Sequence, residues 1–174
     1  MEVMNAILER RSVRGYKDEP IPAPVLEEIL RAGTYAPTAM GKQSPIILAV
    51  TNRAVRDKLS AINARIMGKE EGFDPFYGAP VVLVVLADKS VPPHVYDGSL
   101  VMGTLMLAAF DKGVSSCWIH RAKETFETEE GKALLKELGI EGDYEGIGNC
   151  VLGYAAGPLP EAKPRKEHYI YYVR

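Results

Sequence analysis

Val3, Met4, Ile7 and Leu8 recur at helical spacing and predict a short amphipathic helix ending at the basic run Arg10-Arg11-Ser12-Val13-Arg14. Arg10 and Arg11 would offset the dipole at that end. Pro20, Pro22 and Pro24 break the chain and start a second helix, with Val25, Leu26, Ile29 and Leu30 facing inward and Gly33 as its stop. Residues 36–45 read as a loop and 46–51 as a strand. Asn52 then caps a third helix, whose stripe is Val55, Leu59, Ile62 and Ile66. Residues 68–78 are polar and glycine-bearing, which suggests a mobile excursion. The β-branched run 81–86 reads as a strand buried on both faces.

The helix expected over 97–112 has no polar face, because Leu100, Val101, Met102, Leu105, Met106, Leu107 and Phe110 surround its axis. Such a helix has to be buried on all sides. In a small domain, packing into a partner subunit is one way to achieve this, with Gly98 and Gly103 allowing close approach; burial within the monomer is the other. Residues 114–120 read as a strand. Thr128 caps a helix running through Leu138 and ended by Gly139, with Ala133, Leu134, Leu135 and Leu138 inward. Residues 147–155 form the last core strand. A proline-bearing C-terminal arm, 157–174, ends in the strand-prone segment 169–173, which has too little chain left to return to the core; an arm of this kind often joins another subunit.

The chain of 174 residues fits one domain, spanning 1–174 with the arm included. A net charge of −2 gives no broad basic surface, so nucleic acid is not an expected partner. The most apolar stretches, 80–87 and 100–110, fall short of the roughly 18–20 residues that a membrane span needs. The N-terminus has no basic segment leading into an apolar core, so a signal peptide is not expected. Cys117 and Cys150 lie far apart in apolar runs and read as buried thiols in a reducing cytoplasm.

Several motifs are absent. Residues 146–151 carry only two of the three glycines of a dinucleotide fingerprint, and they fall within an expected strand. The chain has no GxxxxGK[ST], HExxH or GxSxG, and His94, His120 and His168 are too scattered to suggest a metal site.

An ordered set of segments is more informative. A helix ends in Arg10-Arg11-Ser12-Val13-Arg14-Gly15-Tyr16. Ala36-Pro37-Thr38 follows, with Gln43 five residues beyond it. Past the middle come an apolar helix, Gly113 and the strand end Cys117-Trp118-Ile119-His120. The chain closes with Leu152-Gly153-Tyr154 and Lys163-Pro164-Arg165. This set resembles the nitroreductase family, over about residues 4–166.

The resemblance implies an α+β fold. It would be a mixed, mostly antiparallel sheet of four or five strands covered by helices as a three-layer sandwich, in an interlocked homodimer with FMN at the interface. By position, Arg10, Lys163 and Arg165 would meet the phosphate, Arg11 and Ser12 would lie along the ribityl chain and phosphate, and Arg14 would approach the pyrimidine edge. Arginine suits the task, since its planar donors match phosphate oxygens and each charged hydrogen bond contributes about 1.5–3 kcal/mol. A cation at the ring stabilises the anionic reduced flavin.

Thr38 and Gln43 belong to the family's loop, where Gln43 would bond the ring or the ribityl hydroxyls. Family members usually have asparagine where this chain has Gly41, and Pro-Trp where it has Ser44-Pro45. Trp118, Ile119 and His120 fall where the family sets backbone groups beside flavin N5. His120 could also act as a proton donor, and Trp118 could pack or stack.

The implied activity is a ping-pong oxidoreductase. NADH or NADPH gives hydride to FMN, and a small electron-poor acceptor, such as a nitroaromatic or quinone, is then reduced, with no essential side-chain nucleophile. The alternatives are a same-fold flavoenzyme with other chemistry (dehalogenation or flavin breakdown) and a non-catalytic flavin-binding or storage module. Phe73, Phe76 and Tyr77 in the excursion would either cover the flavin or pack.

Overall fold

The computed structural model describes residues 2–174. Along the chain run α1 (Val3–Glu9), α2 (Ala23–Gly33), a 3-10 turn (Ala39–Gly41), β1 (Pro45–Val50), α3 (Arg53–Ile66), β2 (Val81–Asp88), α4 (His94–Asp111), β3 (Ser115–Ile119), α5 (Ala122–Glu127), α6 (Glu129–Glu137) and β4 (Tyr144–Gly153). The four strands pair antiparallel throughout, in the order β1-β2-β4-β3. No helix among the described residues is long and apolar enough to cross a membrane.

The fold is α+β, with the sheet as its middle layer. β2 is central, so both of its faces need cover, which accounts for its unbroken apolar sequence. Val82, Val84 and Leu86 pack on one side with Leu59 of α3, Phe126 of α5 and Leu134 of α6. Val81, Leu83 and Val85 pack on the other with Leu26 and Ile29 of α2 and with Met102 and Leu105 of α4. Each such fully buried side chain contributes about 1.5–3 kcal/mol before ordering costs. Cys117 belongs to the first layer and Cys150 to the second, and both are free thiols.

Several local expectations are sharpened or corrected. α2 does end at Gly33, as expected, although Gly33 is its last residue and is not left-handed. It is buried where α2 crosses α4, and a Cβ there would lie 2.6 Å from Leu105 Cδ2. The helix expected from 97 starts at His94. Its side toward the sheet and α2 is buried, while Val95, Tyr96 and Leu100 are exposed in a single chain, as are Val3, Met4, Ile7 and Leu8 of α1.

On α6, Leu134 faces inward and Leu135 is partly buried, but Ala133 and Leu138 are exposed. Gly139 does take the left-handed conformation that ends α6, and Thr128 caps the helix by accepting from the Gly131 N–H. The short α5 has no counterpart in the sequence reading. The tail forms no strand within its own chain and is exposed along its length.

The excursion 68–78 is a set of turns tied to α3. Asp74 accepts from Arg56, from the Ser60 hydroxyl and from the Phe76 and Gly78 N–H groups. Of its aromatics, Phe76 is buried in the core, while Phe73 and Tyr77 remain exposed.

Candidate functional site

The residues after α1 are stitched to the edge of the sheet. Ser12 bridges Ser116 of β3, the Val13 N–H donates to Ser116 O at 3.0 Å, and the Lys17 N–H donates to Tyr154 O at 2.9 Å. Tyr16 is buried, with its hydroxyl donating to Val13 O at 2.9 Å, and burial pushes its ionisation far above the ordinary range. This stitching fixes the basic run beside β3.

Within the run, Arg11 turns one terminal nitrogen back onto Leu8 O and Arg10 O, each at 2.8 Å. Arg11 Nε and Arg10 Nη1 are buried without a hydrogen-bond partner among the described residues. A buried guanidinium donor left unsatisfied is costly, so the pair is set for an acceptor from outside the chain. Burial raises the Cys117 thiol, opposed by the charges of Arg14 and Arg10 and by a hydrogen bond with Ser12; Cys150, wholly buried, is pushed up to about 12.

Arg14 opens onto a cleft of about 400 Å³, lined also by Tyr77, Cys117, Trp118, His120 and Arg121. Trp118 packs against Gly148, where an added Cβ would sit 2.7 Å from the indole, and its Nε1 has no partner among the described residues. The end of β3 is held from behind. Asn63 Nδ2 donates to His120 O at 2.8 Å, Asn149 Nδ2 reaches the same oxygen at 3.3 Å, and Arg121 Nε donates to Asn63 Oδ1 at 3.1 Å. Arg121 is left-handed at φ 74°, an uncommon conformation for a residue with a Cβ. The His120 side chain is exposed.

Thr38 and Gln43 lie elsewhere, on a second cleft of about 590 Å³ beside β1 and α2. Thr38 Oγ1 accepts from the Gln43 N–H at 3.1 Å, and Gln43 is left-handed at φ 51°. Buried Asp97, in the first turn of α4, holds this loop at both ends. It accepts from the Ala39 N–H at 2.9 Å and from the Ser44 hydroxyl at 2.8 Å.

The structure therefore gathers Arg10, Arg11, Ser12, Arg14, Trp118, Ile119 and His120 at the β3 edge. Within one chain it does not bring them to Thr38 and Gln43, which line the other cleft. Lys163 and Arg165 stay on the exposed arm, where Arg165 Nη2 donates to Lys163 O. Sequence reasoning missed Asn63, Asn149, Asp97 and Asp74. Two of them left a signal: Asn63 is a polar residue on the buried face of α3, and Asn149 is a polar residue inside a core strand.

Architecture and site together define a class, an α+β sandwich carrying unspent arginine donors at the edge of its sheet. The model of the nitroreductase family matches residues 7–154, and the chain belongs to that family. A solved nitroreductase with bound FMN from Bacteroides fragilis is 32% identical, with a TM-score of 0.91 and full coverage of both chains. A protein of Archaeoglobus fulgidus, provisionally named an NADH dehydrogenase/NAD(P)H nitroreductase, is 30% identical over 159 residues, 88% of this chain and 85% of that one. One of the same provisional name from Methanothermobacter thermautotrophicus is 29% identical over 123 residues, 68% of this chain; the match spans only 60% of its length.

Proposed function

We propose that this chain is an FMN-dependent oxidoreductase, active as a homodimer, which draws hydride from NADH or NADPH and reduces small electron-poor acceptors such as nitroaromatics or quinones. One observation carries the reading: Arg10 Nη1 and Arg11 Nε are buried and unpartnered beside Ser12, next to a cleft that Arg14 shares with the end of β3. A phosphate ester supplies the missing acceptors and the opposite charge. The FMN bound in the Bacteroides fragilis relative supports the same reading.

When bound, FMN would supply the hydride chemistry, accepting hydride from the nicotinamide in one half-reaction and releasing it to the acceptor in the other. The chain's residues bind and orient. Arg10, Arg11 and Ser12 hold the phosphate and the adjoining ribityl oxygens. Lys163 and Arg165 would close on the phosphate once the arm is seated in the assembly. Arg14 sets positive charge at the pyrimidine edge, and Trp118 packs. His120 acts through its backbone, whose carbonyl is already held in place.

Thr38 and Gln43 open on a different cleft from Arg14, so they would serve a flavin shared between two chains. The exposed apolar side chains of α1 and α4 give the two chains a surface to bury. Tyr77, at the mouth of the Arg14 cleft, would meet the acceptor. Two free buried thiols accord with a reducing cytoplasm.

The test is anaerobic. Purified protein should be yellow, or take up added FMN, and should bleach on addition of NADH or NADPH, with colour returning on addition of a quinone. A yellow protein that neither nucleotide bleaches would refute the NAD(P)H-linked activity and favour other flavin chemistry or storage. A protein that takes up no FMN would refute the whole reading.

A further inference from the structure

We infer that Asn63 and Asn149 are positioning residues whose task is to aim the backbone N–H of Arg121 at the flavin edge near N5, an inference that rests on the FMN reading above. Both are fully buried, at 0% and 1% exposure, and they come from different elements, α3 and β4. Buried amides are expensive unless paired, yet both converge on one carbonyl, His120 O. The Asn63 bond is the stronger at 2.8 Å; the Asn149 amide, at 3.3 Å, is shared with Ile119 O at 3.4 Å.

Peptide geometry turns this clamp into an aim. No peptide bond among the described residues is cis, so the Arg121 N–H points opposite to His120 O across one rigid plane. The oxygen points inward to the two asparagines. The N–H therefore points outward, toward the side that holds the Arg14 cleft, and no hydrogen bond within the chain uses it among the described residues. The left-handed φ of 74° at Arg121 is a conformation that persists only when its surroundings enforce it. Asn63 Oδ1 also accepts from Arg121 Nε, so one side chain grips both sides of the turn.

An N–H fixed on N5 favours the oxidised ring, whose N5 offers a lone pair, over the reduced ring, whose N5 carries its own proton. The clamp should hold the two-electron potential down without adding to phosphate affinity.

The experiment uses the full-length protein loaded with FMN and two substitutions that add no charge, Asn63→Leu and Asn149→Val. FMN dissociation constant and flavin midpoint potential are measured on each. With the clamp loosened, the potential should rise and oxidised FMN should bind more weakly by about the same factor and no more, because the bond to N5 is lost from the oxidised form while the phosphate contacts remain. Asn63→Leu should shift the reduction equilibrium by about tenfold, which is about 30 mV for a two-electron couple. Asn149→Val should shift it less, in proportion to its longer bond, and it carries the test if Asn63→Leu does not fold. An unchanged or lowered potential in variants that hold FMN would overturn the inference alone. A parent protein that takes up no FMN would overturn the proposed function and the inference with it.

Discussion

Replacing Asp74 by alanine tests how the segment carrying Tyr77 is held. The Arg56 side chain is 4% exposed and spends its donors on Ala79 O at 3.0 Å, Asp57 Oδ1 at 3.0 Å and Asp74 Oδ2 at 2.5 Å. Breaking a buried ion pair from one side costs about 3–5 kcal/mol, because the remaining charge is left short of partners. Asp74 keeps 31% exposure and Arg56 keeps its other two acceptors, which places Asp74→Ala at the lower end, about 3 kcal/mol. Asp74→Asn retains an oxygen for Ser60 and the Phe76 N–H, but it sets an amide NH2 against the Arg56 and Gly78 donors that Oδ2 had accepted, so a loss close to that of the alanine, about 2–3 kcal/mol, is expected.

Urea unfolding at fixed protein concentration measures both, since assembly makes the midpoint concentration-dependent. The effect also depends on pH. Burial alone would raise the Asp74 carboxyl, but hydrogen bonds from Arg56, Ser60 and the Gly78 and Phe76 N–H groups hold it below the usual carboxylate value. The stability it contributes is therefore complete above the unfolded value, about 3.9, and is lost as pH falls through the lower folded one. The gap between parent and Asp74→Asn should be constant near neutrality and should shrink only below about pH 4. Asp74→Ala unfolding within 1 kcal/mol of the parent, or a gap already closing near pH 6, would refute the reasoning.

Three further outcomes follow from the packing. Asp97→Ala should cost about 1.5–3 kcal/mol by releasing the loop at Ala39 and Ser44, whereas Asp97→Asn should cost much less, because its amide can donate to the Ser44 hydroxyl; thermal melts compare them. Gly146→Ala places a Cβ 2.2 Å from Ala122 O, a backbone atom that cannot swing away, so a loss of about 3 kcal/mol or more is expected in urea unfolding. Cys117 and Cys150 should be silent to a thiol reagent in the folded protein and should both react once it is unfolded.

Much of the fold was legible because local pattern and tertiary role agree. The unbroken apolar run of β2 reads as a central strand, and the stripe of α3 with its Asn52 cap reads as a helix packed on one side, since the Asn52 side chain does accept from the Val55 N–H. The misses are places where distant packing decides. Gly33 does end α2, but what requires a glycine there is Leu105 on another helix, a contact that no local pattern shows. Leu138 looks inward by composition, but α6 has already ended when the chain reaches it. The basic run and the end of β3 were legible as a site because each is contiguous. Asn63 and Asp97 act on segments 57 and 58 residues away, a relation that no local window contains.

The central claim is that the unspent donors after α1 exist to hold a flavin phosphate. An FMN titration of the full-length protein against its Arg10→Ala/Arg165→Ala variant, read by quenching of flavin fluorescence, tests it most directly. Two charged hydrogen bonds lost at about 1.5–3 kcal/mol each predict affinity weakened at least about a hundredfold, while far-UV circular dichroism stays unchanged. A folded variant that binds FMN as tightly as the parent would contradict the account.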